Sequence, residues 1–164
     1  MARTKRSMRC VGVALMALMM VFAMTVGSFA ATDSQEATHF SVTIYEVEGD
    51  TVTENLSMAQ NAVAGDAVYD AENNTLTIPL QEYQRDYGIM TGYGCMTGID
   101  FLSGATGSGS AEYGASEIVI SNFTPTDGTA DGSYRVTFDV TVKVLGIEMD
   151  IPAMQGVEAQ LVLS

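Results

Sequence analysis

From Tyr134 to Val144 the apolar side chains of Tyr134, Val136, Phe138, Val140, Val142 and Val144 alternate without a break with Arg135, Thr137, Asp139, Thr141 and Lys143. A period of two places one set against a core and the other in water, so this segment reads as a half-buried β-strand. Directly after Gly146, the residues Ile147, Met149 and Ile151 alternate with Glu148 and Asp150, which predicts a tight hairpin. Ala159 to Leu163 supplies a last strand. Earlier strands are expected at Phe40 to Glu48, Ala67 to Asp70, Thr75 to Leu80, Met96 to Phe101 and Glu117 to Asn122, with Asn73-Asn74 turning the second into the third. Clusters of Gly, Asn, Asp and Ser separate them, and no stretch has the spacing of a long amphipathic helix. Seven or eight short strands with turns at this spacing define an all-β chain. The expected architecture is an immunoglobulin-like antiparallel β-sandwich with one short helical turn, and a closed barrel is the competing one. Two glycine-rich stretches, Gly88 to Gly98 and Gly104 to Gly114, read as loops; the first also carries Tyr87, Met90, Tyr93, Cys95 and Met96.

The pattern begins only after residue 30. Arg3, Lys5, Arg6 and Arg9 precede an apolar run from Val11 to Val26, and small residues follow at Ser28 and Ala30. That order is a secretory signal, residues 1–30, with cleavage expected after Ala30; retention as an N-terminal membrane anchor is the alternative. Residues 31–39 are mostly small and polar and read as a flexible lead-in, and residues 40–164 are enough for one domain with its own core. The expected location is secreted or cell-surface, with a membrane reached only through an uncleaved signal segment.

All twenty acidic residues lie beyond the signal, against Arg85, Arg135 and Lys143 alone among the basic ones. Such a surface repels nucleic acid and anionic membranes. Cys95 is the only cysteine after the signal, so no internal disulfide can form and the core must carry the fold. The only histidine is His39, which leaves no basis for a Ser-His-Asp or Cys-His site, and one His with one Cys makes none of the common zinc sets. Asp127-Gly128 and Asp131-Gly132 lack the spacing of an EF-hand loop and read as turns. Glu148 and Asp150 share one side of a strand and read as its solvated face. No enzyme is expected.

One feature is left: Asn55-Leu56-Ser57-Met58-Ala59-Gln60, a break between strand-like runs that sets a hydroxyl beside a thioether. Serine ahead of a helical turn is by default an N-cap and methionine a core filler. At a sheet lip, however, the same pair offers a hydrogen bond and a soft sulfur to an apolar ligand or metal. A strand, this Ser-Met turn, then Gly65-Asp66-Ala67-Val68-Tyr69-Asp70 leading through a hairpin into Thr75-Leu76-Thr77-Ile78-Pro79-Leu80, resembles the first half of a NEAT domain. NEAT domains are the haem-binding, immunoglobulin-like modules of Gram-positive surface proteins. The late hairpin, Tyr134 to Ile151, with Pro152 and a final strand resembles the second half.

The resemblance implies a haem, or a related tetrapyrrole, slotted between the Ser57 lip and the last hairpin, in the service of iron acquisition. By position, Ser57 would bond a propionate and Met58 would cover the distal face or approach the iron. Val157 and Leu161 would belong to the opposite wall. The family's Tyr-x-x-x-Tyr pair is missing, since the aligned segment reads Gly156-Val157-Glu158-Ala159-Gln160-Leu161. Met154 is the expected substitute ligand, giving a bis-methionine iron with Met58; Tyr93 and Met96 are further candidates. The alternative is a NEAT-derived or immunoglobulin-like domain that binds no haem and recognises a protein partner, such as a haemoprotein or another surface protein.

Overall fold

The structure is a computed structural model that describes residues 37–86 and 91–164. The expected signal segment, most of the lead-in and residues 87–90 lie outside the described residues. The chain is all-β, an antiparallel sandwich formed by one sheet that curls back on itself. Twelve strands stand among the described residues: β1 (Thr38–Phe40), β2 (Val42–Glu48), β3 (Thr51–Leu56), β4 (Ala67–Asp70), β5 (Thr75–Pro79), β6 (Tyr83–Asp86), β7 (Thr91–Ser103), β8 (Ala105–Ser110), β9 (Glu117–Pro125), β10 (Gly132–Val144), β11 (Ile147–Asp150) and β12 (Val157–Leu163). They pair in the order β1-β4-β5-β9-β8-β7-β10-β12-β2-β3, with β6 on β7 and β11 on β10.

The structure has more strands than the seven or eight expected. Phe40 to Glu48 is interrupted at Ser41, whose backbone exchanges hydrogen bonds with Ser164 (2.8 and 3.2 Å), so β1 joins β4 while β2 joins β12. Strands β3, β6 and β8 stand where none is expected, and β8 and the first part of β7 fall where glycine suggests a loop. Gly88 to Gly98 is in its described part the start of β7, and Gly104 to Gly114 contains β8. Glycine here serves close approach. A Cβ on Gly94 would lie 2.6 Å from the ring of Tyr83, which packs across it from β6. A Cβ on Gly107 would lie 2.9 Å from Ile120 and 3.1 Å from the Phe123 backbone, and one on Gly109 would lie 2.8 Å from the Val119 carbonyl.

Those last two contacts make the corner of the sandwich. The first half of β9 pairs with β5 and its second half with β8, the change falling between Ile120 and Ser121, just before Asn122, whose φ of 56° lies at a bulge. The core lies between the two layers thus formed. Leu76, Ile78, Ile118 and Ile120 face Ile44, Met96, Val136, Phe138 and Leu161, all fully enclosed. Phe123 sits at its centre, 5.3 to 5.7 Å from the rings of Phe101, Tyr69 and Tyr134.

Tyr134 opens β10 with its hydroxyl donating to the Ala130 carbonyl at 2.8 Å, the corner contact found in immunoglobulin-type sandwiches. Burial, with Asp131 and Asp127 nearby, pushes its phenol up to about 12. A pKa above the usual value of about 10 means that the folded state holds the proton more tightly. Its contribution is therefore complete below pH ~10 and is lost as pH rises toward 12. Alkaline unfolding of the wild type should steepen across that window; Tyr134→Phe should be less stable at pH 7, by about 1 kcal/mol for the lost hydrogen bond, and flatter between pH 10 and 12. Parallel pH-stability curves for the two proteins would refute the assignment.

Candidate functional site

Beyond Leu56 the chain leaves the edge of β2, and a 3-10 turn, Met58–Ala62, takes the place of a strand. Three bonds hold it there. The Ser57 N–H donates to the Ile44 carbonyl at 2.8 Å. The Gln60 side chain then acts as a strand would, its Oε1 accepting the Ile44 N–H at 2.7 Å and its Nε2 donating to the Val42 carbonyl at 3.3 Å. Ala59 and Ala62 are buried beneath, small enough for the turn to lie close on the core. Ser57 is itself buried and caps the turn, its hydroxyl accepting the Ala59 N–H at 3.4 Å. Its hydroxyl thus has the default role of serine ahead of a helical turn.

Met58 is half-buried: it packs against the core and also lines a groove of about 340 Å³ with Glu46, Leu56, Asn61, Tyr83, Gln84 and Arg85. The Arg85 guanidinium lies against the Met58 sulfur. Leu56 is 56% exposed, unusual for a leucine on a strand, and the largely buried Tyr83, packed over Gly94, contributes the edge of its side chain. The groove therefore combines a thioether, an aliphatic and an aromatic wall with one cation and one carboxylate.

Met154, Val157 and Leu161 do not line this groove. Met154 ends a second 3-10 turn, Pro152–Met154, and packs against the core. Leu161 is wholly enclosed between β10 and β2, while Val157 stands partly exposed at the start of β12. Met96, another candidate ligand, is also wholly enclosed, and Tyr93 is exposed on the outer face of β7. Cys95, also on that face, is buried beneath Tyr113, and burial pushes its thiol up. Tyr113 in turn donates to Glu82 and carries Lys143 5.0 Å from its ring centre.

Arg85 and Tyr83 escaped the sequence reading because Gln81 to Asp86 carries no clean alternation: Tyr83 is buried and the three residues after it are exposed. The signal available was the scarcity of cations, which makes the position of each of three informative.

The chain matches no protein-family model, no curated protein and no solved structure. Its function is therefore read from its own side chains.

The Gln60 clamp is what presents Met58. Gln60→Ala leaves the N–H of fully buried Ile44 without its acceptor, which should cost about 1–3 kcal/mol. Urea unfolding should show a lower midpoint, and hydrogen exchange should accelerate at Ile44. An unchanged midpoint would mean that the turn is held in some other way.

Proposed function

We propose that this is a NEAT-like, exported bacterial module that binds haem or a related tetrapyrrole at the Met58 groove and serves iron acquisition. The observation that carries the reading is the convergence of Met58, Leu56, Tyr83 and Arg85 on one open slot at the lip of the sheet. These residues fit the group. A flat macrocycle would set its apolar edge between Leu56 and the Tyr83 ring, with burial contributing roughly 25 cal/mol per Å² of apolar surface removed from water. Arg85 is placed to pair with a propionate, the role assigned by resemblance to Ser57. Met58 supplies a thioether, a neutral soft ligand that favours Fe(II) over Fe(III) relative to a tyrosinate. Haem would bring its iron chemistry as cargo, and the protein's part is to hold and shield it.

A second reading has its own support: a protein-binding module without haem. The strand aligned with the family's tyrosine pair is committed to the core through Ala159 and Leu161. The β10–β11 hairpin also exposes Leu145, Ile147 and Met149. Leu145 occupies, with Gly146, a turn in which both φ angles are positive (52 and 83), a place better suited to asparagine.

Mixing the purified domain with haemin distinguishes the two. Haem binding predicts a shifted Soret band, altered by Met58→Ala, with Arg85→Ala weakening affinity roughly tenfold, the loss of one charge-assisted bond. Met154→Ala tests the bis-methionine alternative. A free-haem spectrum in the wild type would sink the haem reading and leave the protein-binding one.

A further inference from the structure

The outer face of β7, β8 and β9 carries a second groove, of about 520 Å³, which shares no residue with the first. Its construction follows from the strand register. Asp100, Ser108 and Ser121 are direct partners across the three strands and form one row. Asp139, Gly98 and Ser110 form the next row, two residues along. Same-face neighbours on adjacent strands stand about 4.8 Å apart, so glycine at the centre of the second row opens a gap, into which the Asp139 side chain leans. That gap is the floor of the groove.

The Asp139 carboxylate is fixed over it. One oxygen accepts the Gly156 N–H at 2.7 Å, and the other lies where a Cβ on Gly98 would be, 2.7 Å away. Opposite stand the Ser108, Ser110 and Ser121 hydroxyls, all exposed. Among the described residues neither they nor the Asp100 carboxylate makes a side-chain hydrogen bond within the protein.

We propose that this groove binds a neutral polysaccharide. Each serine hydroxyl both donates and accepts, as each sugar hydroxyl does, and carboxylates such as those of Asp100 and Asp139 accept from adjacent pairs of sugar hydroxyls. Val119, 41% exposed, offers the one apolar contact for the C–H face of a ring. The carboxylates repel phosphorylated, sulfated or uronate-bearing chains. A cation is the poorer fit, because the two aspartates belong to no group of three metal-ligating side chains among the described residues. The open length across three strands suits one or two sugar rings of a longer chain.

Native affinity electrophoresis tests this with gels containing neutral mixed-linkage β-glucan, xylan or dextran, and dextran sulfate as the anionic arm. The wild type should be retarded by at least one neutral polymer and unaffected by dextran sulfate. Ser110→Val with Ser121→Val, both at exposed strand positions that tolerate a β-branched side chain, should reduce the association by roughly tenfold while a thermal melt shows the fold intact. Should that variant not fold, amide chemical-shift mapping of the wild type with the retarding polymer's oligomer locates the site, and the expected shifts cluster at Gly98, Ser108, Ser110 and Ser121. Mobility unchanged in every neutral gel, retardation undiminished in the folded variant, or shifts clustering elsewhere would overturn the proposal.

Discussion

The sandwich depends on how closely two strands can approach at its corner. Gly107 and Gly109 leave no room for a Cβ between β8 and β9, and Asn122 bends β9 so that it leaves one layer and enters the other. With any larger residue at 107 or 109, the sheet could not fold over without displacing Ile118, Ile120 or the Phe123 backbone, which line or anchor the core. The positive φ of Gly107, 133°, adds a conformational reason to the steric one. Once the corner closes, Phe123 is carried into contact with Phe101, Tyr69 and Tyr134, and the two layers share one apolar interior. The same absence of side chains inside leaves a smooth, hydroxyl-bearing surface outside, where the second groove runs.

Elsewhere the fold solves a different problem, how to end a strand without leaving its neighbour's backbone bare. Gln60 completes the edge of β2, and Gln155 does the same for β10, donating to the Val140 carbonyl at 2.9 Å in the gap between β11 and β12. A side-chain amide has the same donor and acceptor as a peptide, so it can replace one residue of strand. It also blocks further pairing at that point, which protects an edge from association. Both glutamines belong to segments built around 3-10 turns, and the first of these turns is the platform for Met58.

How much of this was legible in the sequence varies by element, for physical reasons. The β10 strand was plain because one of its faces is core and the other water from end to end, and the hairpin after it followed from Gly146. The all-β class followed with it. Strand β8, Ala105–Ser110, was not legible, because a strand made of glycine and small polar residues has no hydrophobic alternation; its reason for being a strand lies in its pairing with β7 on one side and β9 on the other. The Ser57 break was correctly seen as a turn at a sheet edge, and the default reading of serine as an N-cap describes its hydrogen bond. What sequence could not give was the company Met58 keeps. Tyr83 and Arg85 reach it across the sheet, and neither is set off by any local pattern.

Charge separates what the two grooves can do. Of the three cations after residue 30, Arg135 is tied to Glu158 (3.2 Å) and the Gly49 carbonyl, and Lys143 to Glu148 (3.3 Å), both near the surface where such pairs are worth little in stability. Their effect is to cancel carboxylates locally. Arg85 lies against the Met58 sulfur, in a groove whose lining also includes the Glu46 carboxylate. The glycine-floored groove has the opposite character, with two carboxylates and no cation in its lining. On charge alone, the proposed acidic amphiphile suits the first groove better than the second, and the proposed uncharged polyol suits the serine rows. The two proposed sites therefore need not compete, since their linings share no residue and differ in charge.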